Sequence, residues 1–211
     1  MKKFIVMAIA AMIALPSATM AQKTTIQRVT REKTYTTQTH KVSVWYEGDF
    51  SVGFAAGGKA TISEDGYSET LKTNLSRPYI ETVHGVHITK YAFVGLGVGV
   101  QYAYGKIDSE YDDSNNWNTL FMPVFLNLKG FYPASDDFAP YITTSLGASP
   151  VLMADDAFGS ALKGGFFCKV GAGISYRKFL FDFGLMHQNM TLDKDEKIGN
   201  NSLYVNVGFK F

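Results

Sequence analysis

From residue 49 to the end of the chain, apolar residues alternate with small or polar ones in a series of short segments. A period of two is the strand period, because successive side chains point to opposite faces. The first segment, 49–57, puts Phe50, Val52 and Phe54 on one face and Ser51, Gly53 and Ala55 on the other. The second, 79–87, carries Ile80, Thr82, Val86 and Ile88 on its apolar face, with His84 among them; the other phase would place Glu81 there. The third, 93–104, sets Val94, Leu96, Val98, Val100, Tyr102 and Tyr104 against Gly95, Gly97, Gly99, Gln101 and Ala103. The fourth, 119–130, sets Leu120, Met122, Val124, Leu126 and Leu128 against Asn127 and Lys129. Pro123 within it predicts a bulge or a local loss of pairing. In 140–149 the outer row holds Ile142 and Leu146; in 165–177 it holds Phe166, Cys168, Val170 and Ile174. In 179–187 it holds Phe179, Phe181, Phe183 and Leu185, opposite Asp182 and Gly184. The last segment, 201–211, sets Leu203, Val205, Val207, Phe209 and Phe211 against Ser202, Tyr204, Asn206, Gly208 and Lys210. Eight strands are predicted, near the roughly 9–11 residues that cross a bilayer at a tilt.

The connections alternate in length. Stretches 58–78, 105–118, 150–164 and 189–200 read as long polar loops. The turns at Thr89-Lys90-Tyr91, 133–139 and Arg177-Lys178 are short. Long loops on one side and short turns on the other are the asymmetry of an outer-membrane barrel. Upstream, 23–46 is Thr-rich and polar and reads as an arm or an overlong first strand. The chain opens Met1-Lys2-Lys3, continues with an apolar run over 4–15, and reaches Ala21 through Pro16, Ser17, Ala18, Thr19 and Met20. That is the pattern of a secretory signal cut after Ala21. The predicted organisation is a signal peptide at 1–21, a periplasmic arm or N-terminal extension at 22–46, and a barrel at 47–211.

Composition narrows the choice. The chain holds 16 Phe, 12 Tyr and 20 Gly. Yet no stretch after the signal is long and apolar enough for a transmembrane helix. Lys and Arg number 20 against 19 Asp and Glu, and losing Lys2 and Lys3 with the signal leaves a slight excess of acid. Such a chain has no general attraction for nucleic acid or anionic lipid. Cys168 is the single cysteine, so no internal disulfide is available. A soluble barrel would present charge outward. Here the second face is Gly, Ser, Ala, Gln and Asn, and Gly95, Gly97, Gly99, Gly171 and Gly173 suit a narrow interior. The bulky row then faces lipid, with Tyr102, Tyr104, Tyr176, Phe209 and Phe211 as interfacial belts. The fold class expected is all-β, an eight-stranded antiparallel up-and-down transmembrane β-barrel, because a closed ladder leaves no backbone group unpaired in lipid.

The last strand, stopping on Phe211, resembles the C-terminal assembly signal of bacterial outer-membrane barrels, which the insertion machinery reads. Leu203, Val205, Val207, Phe209 and Phe211 would carry that signal. With the signal peptide and the strand pattern, the chain after about residue 47 resembles the small eight-stranded outer-membrane barrels of Gram-negative bacteria, of the OmpX-like or opacity-like type. The resemblance implies the cell outer membrane after Sec-dependent export. It also implies contact with outer-membrane lipid and lipopolysaccharide and with the insertion machinery. It implies no one activity, since these families include structural proteins, adhesins and enzymes.

The candidate chemistry is thin. His84 and His87 look like a ligand pair, but strand residues three apart face opposite sides. His40 stands alone. His187-Gln188-Asn189 is distantly similar to the His-x-Ser-Asn element of lipid A deacylases, without its Ser; Ser202 is the distant substitute. The acid pairs Asp112-Asp113, Asp136-Asp137 and Asp155-Asp156 lack calcium-loop spacing and read as solvated loop charge. Cys168 falls on the lipid-facing row as a small apolar residue. No metal or cofactor is expected. Glu81, Lys129, Lys169 and Asp182 fall on inward rows, where charges must pair, and predict a structural plug. The loops carry Asp108, Glu110, Asp112 and Asp113 against Lys106, and the other long loops add no positive balance. With Tyr67, Tyr111, Trp117 and Phe158, this predicts an acidic, aromatic rim suited to a surface protein partner and not to nucleic acid. The function expected is a non-enzymatic barrel that displays surface loops. The alternatives are a lipid-modifying enzyme with a rim site near His187, and a narrow pore.

Overall fold

The computed structural model describes residues 44–64, 67–72, 75–106, 116–154, 162–191 and 197–211. The signal peptide, the arm up to residue 43 with His40, and the acid pairs Asp112-Asp113 and Asp155-Asp156 lie outside these residues, as do Tyr111 and Phe158 of the expected rim. The described chain is strand throughout, apart from its turns and short breaks. The elements are β1 (Trp45–Glu64), β2 (Tyr67–Lys72), β3 (Ser76–Thr89), β4 (Ala92–Lys106), β5 (Asn116–Phe121) and β6 (Val124–Phe131). After them come β7 (Phe138–Ser149), β8 (Val151–Ala154), β9 (Lys163–Tyr176), β10 (Phe179–Thr191) and β11 (Lys197–Lys210).

These pair into one closed antiparallel barrel of eight staves. β5 and β6 form one stave broken at Met122-Pro123, and β7 and β8 form one broken at Pro150. Pro123 keeps the ladder through its carbonyl, which accepts from Gly99 N at 2.9 Å, and Met122 N donates to Pro150 O at 2.9 Å. A proline costs a donor, not an acceptor, so the break is local. β1 pairs β3 on one side and β11 on the other, with Asp49 opposite both Val83 and Lys210. That contact closes the ring.

The strands run further than the alternation predicts. The first begins at Trp45, in the stretch read as an arm or an overlong first strand, and continues past residue 57 to Glu64. Much of 58–78, expected as a loop, is β structure: β1 folds back on β2, with Glu64 opposite Tyr67. The two strands pair antiparallel from Lys59 opposite Lys72 to Glu64 opposite Tyr67, as the alternation of Thr61, Ile62 and Ser63 allows. Gly57 and Gly58, with φ of 67° and 129°, carry the bulge at which β1 leaves β3 and takes up β2. The strands also run further than expected elsewhere on this side. β10 reaches Thr191 and β11 starts at Lys197, so most of 189–200 belongs to the wall.

The facing of side chains follows the alternation. Leu96, Ile142, Phe183, Leu185 and Leu203 are each more than 60% exposed on the outer wall. Their partners in sequence, such as Gly97, Tyr141, Thr143, Asp182 and Tyr204, point inward. Exposed aromatics collect at both margins. Tyr102 and Tyr104 stack toward the long-loop end, and Tyr91, Tyr132, Tyr176, Phe179 and Phe209 ring the short-turn end.

Candidate functional site

The lumen holds most of the side chains that could do chemistry. Its lower half is a charge layer. Lys129 Nζ donates to Asp49 Oδ2, and Lys169 Nζ donates to Glu81 Oε1. Both pairs are almost fully buried. Asp182 is held differently: its Oδ2 accepts from the Tyr141 hydroxyl at 2.9 Å and from Asn206 Nδ2 at 3.1 Å. Among the described residues no lysine or arginine stands within ion-pair distance of it. The lysines also sit over ring faces. Lys169 Nζ lies 5.1 Å from the Tyr79 and Tyr204 centroids, and Lys129 Nζ lies 5.0 Å from that of Phe93. Ring faces attract a desolvated ammonium. Gly53, Gly97 and Gly171 give these large lumen groups room: a Cβ there would meet Tyr79, Phe125 and Tyr204 respectively.

The charged groups surround one small cavity of about 20 Å³, lined by Asp49, Glu81, Lys129, Lys169, Asp182 and Asn206 among others. That is room for about one water molecule. Asp49 is not among the expected inward charges; it stands one step before Ser51 on the inward row of β1, so extending the alternation by a single step finds it. Arg77 likewise continues the inward row of Glu81 and Tyr79, into the stretch 58–78 that reads as a loop. It is 1% exposed and donates to Gln188 Oε1 at 3.0 Å, Asn200 Oδ1 at 2.5 Å and Ser202 Oγ.

The histidines divide. His84 faces outward, its Nδ1 2.5 Å from the Tyr46 hydroxyl and its ring beside Phe211. His87 faces inward, 3.2 Å from Glu47 and stacked on Trp45 with centroids 4.5 Å apart. The two cannot share a ligand. His187 lies on the outer face with Nδ1 2.7 Å from Asn201 Oδ1, whereas Ser202 points into the lumen toward Arg77. No nucleophile–base contact joins them, because consecutive strand residues face opposite ways. Asp137 is exposed in a short turn with Arg177 at 3.4 Å, and Cys168 lies on the outer row. At the barrel's seam, Phe211 exchanges backbone bonds with Gly48, N to O at 2.8 Å and O from N at 3.0 Å. Its ring lies over Gly48, where a Cβ would strike it. Leu203, Val205, Val207 and Phe209 continue the same outward row.

No protein-family model and no curated relative matches the chain. Among solved structures it is similar to Ail, the attachment invasion locus protein of Yersinia pestis. There the identity is 14%, the match covers 78% of this chain and 98% of that one, and the TM-score is 0.35. It is similar to outer membrane protein AlkL, solved in lipid bilayers, at 15% identity over 88% of this chain and 96% of that one, TM-score 0.40. It is also similar to Neisserial surface protein A, at 14% identity over 77% and 96%, TM-score 0.38. The closed ladder, the apolar outer wall and the polar, filled interior make this chain a transmembrane β-barrel.

Proposed function

We propose that the protein is an integral outer-membrane barrel that presents its long-loop end at the cell surface, without catalysis and without stable conduction. The observation that carries this is the filled lumen. Ion pairs from opposite walls meet across it, Lys129 with Asp49 and Lys169 with Glu81, and the space left between them is about 20 Å³. An eight-stranded barrel is only just wide enough to be filled by its own side chains, and a pore needs a continuous aqueous path that this layer blocks. Against a lipid-modifying site, His187 and Ser202 face opposite sides of the wall. The partner proposed for the surface end is a cationic protein patch, or lipopolysaccharide bridged by divalent ions, facing the acids of 105–118.

In planar bilayers, monodisperse protein should give no steady single-channel conductance. Reproducible unit conductance would replace this reading with a pore. Cells whose barrel lacks 105–118 should lose binding to the partner or change their surface properties while keeping normal barrel levels. On gels, unboiled protein should migrate apart from boiled protein, because the closed ladder resists detergent until heated. Identical migration, with the protein in the soluble periplasmic fraction, would remove the membrane assignment.

A further inference from the structure

The small cavity inside the charge layer is one positive charge short. Its lining carries three carboxylates, Asp49, Glu81 and Asp182, against two ammonium groups, Lys129 and Lys169. Each lysine is committed to one carboxylate, Lys129 to Asp49 and Lys169 to Glu81, which leaves the charge of Asp182 over. Arg77 does not supply the balance: it is held by Gln188, Asn200 and Ser202, none of which lines the cavity. An uncompensated charge in a low-dielectric space is costly.

The unmade hydrogen bonds around the cavity have the same sign. Among the residues that line it, the buried atoms without a partner are Asp49 Oδ1, Asn127 Oδ1 and Asn206 Oδ1, and all three are acceptors. Their residues are 3%, 3% and 8% exposed and come from β1, β6 and β11. Turning the amides round does not remove the deficit. Asn206 Nδ2 donates to Asp182 Oδ2 at 3.1 Å, and Asn127 Nδ2 donates to the Thr144 carbonyl at 3.5 Å besides the Thr143 and Ser145 hydroxyls. A carboxylate and a carbonyl only accept, so each amide must keep its nitrogen toward them and its oxygen free. A water molecule brings two hydrogens to these three oxygens, and no charge. A small cation answers the oxygens and the charge together.

We infer that this cavity binds one small monovalent cation, sodium or potassium, held by Asp49 Oδ1, Asn127 Oδ1 and Asn206 Oδ1 and balanced by Asp182. The space of about 20 Å³ admits a bare ion in place of one water. A divalent ion overshoots the missing charge, and neither the roughly six to eight oxygens of calcium nor the waters that magnesium retains fit there. The bound ion joins β1, β6 and β11 at the level of the two ion pairs and so tightens the plug.

The test is thermal unfolding of the full barrel in a neutral maltoside detergent, purified in N-methylglucamine chloride and titrated with sodium or potassium chloride at constant ionic strength. N-methylglucamine is too large for the cavity and sets the baseline. The parent should unfold about 2–4 °C higher in sodium or potassium, and the rise should level off as one site fills. That shift is smaller than the loss of a buried ion pair would give. Val83→Ile puts one more carbon into the cavity lining and should abolish the rise. Asp182→Asn keeps the shape, removes the surplus charge, and should abolish it too in a barrel that still shifts on heating. Either variant decides alone if the other does not fold. The proposal is overturned if the parent unfolds at one temperature in all three salts, since a water or a proton then completes the layer. A rise that never levels off, or one that persists in Val83→Ile or in a folded Asp182→Asn, overturns it equally by placing the ion elsewhere.

Discussion

Replacing Glu81 by Leu should destabilise the barrel by about 3–5 kcal/mol, the cost of stranding one member of a buried pair. Lys169 is 3% exposed, and its Nζ is held by Glu81 Oε1 between the Tyr79 and Tyr204 rings. Without the carboxylate the ammonium must stay charged with no carboxylate within ion-pair distance among the described residues, or lose its proton. The gel shift on heating should therefore occur at a clearly lower temperature. Lys169→Met should cost a similar amount, and the double variant should recover much of it, because an apolar pair leaves no charge behind. Asp182→Leu should cost less, about 1–3 kcal/mol, since it leaves only the Tyr141 hydroxyl and the Asn206 amide without their acceptor. A Glu81 variant as heat-resistant as the parent would show that water reaches the pair and screens it. Equal losses for Glu81→Leu and Asp182→Leu would show that Asp182 also answers a cation.

Replacing Phe209 and Phe211 together by Ser should reduce the inserted protein several-fold. Phe211 closes the seam with Gly48 through two backbone bonds, and its ring covers Gly48 beside His84. The Phe209 ring packs edge-on against Phe179, with Lys178 Nζ 5.6 Å above it. Both rings remain partly open to the outside, at 40% and 37%. Each therefore contributes less to the finished barrel than the ~1.5–3 kcal/mol of a fully buried apolar side chain. The expected signature is a large drop in yield with a modest drop in the unfolding temperature of what does insert. A purely structural role would show the reverse, with normal outer-membrane levels of a barrel that unfolds early.

What the chain determined without its fold is the facing of its residues. Alternation is a local property of an extended backbone, so Phe50, Leu96, Ile142, Phe183 and Val205 could be placed outward, and Glu81, Lys129, Lys169 and Asp182 inward, from order alone. The ends of strands were less legible. The pattern at Lys59–Lys72 alternates without strong apolar content, since above the membrane neither face has to be greasy, and it resembled a loop until β1 and β2 paired. Arg77 stands at the edge of the stretch 58–78 and Asp49 at the first position of the alternating segment, so neither is flanked by a strong apolar pattern on both sides.

Which inward groups meet was decided only by the closed barrel. Lys129 reaches Asp49 across 80 positions, Lys169 reaches Glu81 across 88, and Arg77 reaches Ser202 across 125. Strand tilt and stagger set those meetings, because closing a sheet shifts each strand along its neighbour by an amount that no single segment encodes. Four inward charges suggested a plug, but not that Lys129 would take Asp49, that Asp182 would be left to a tyrosine and an asparagine, or that Arg77 would sit without a carboxylate among the described residues. Period two fixes the face of each side chain; the shear of the ring chooses its neighbour.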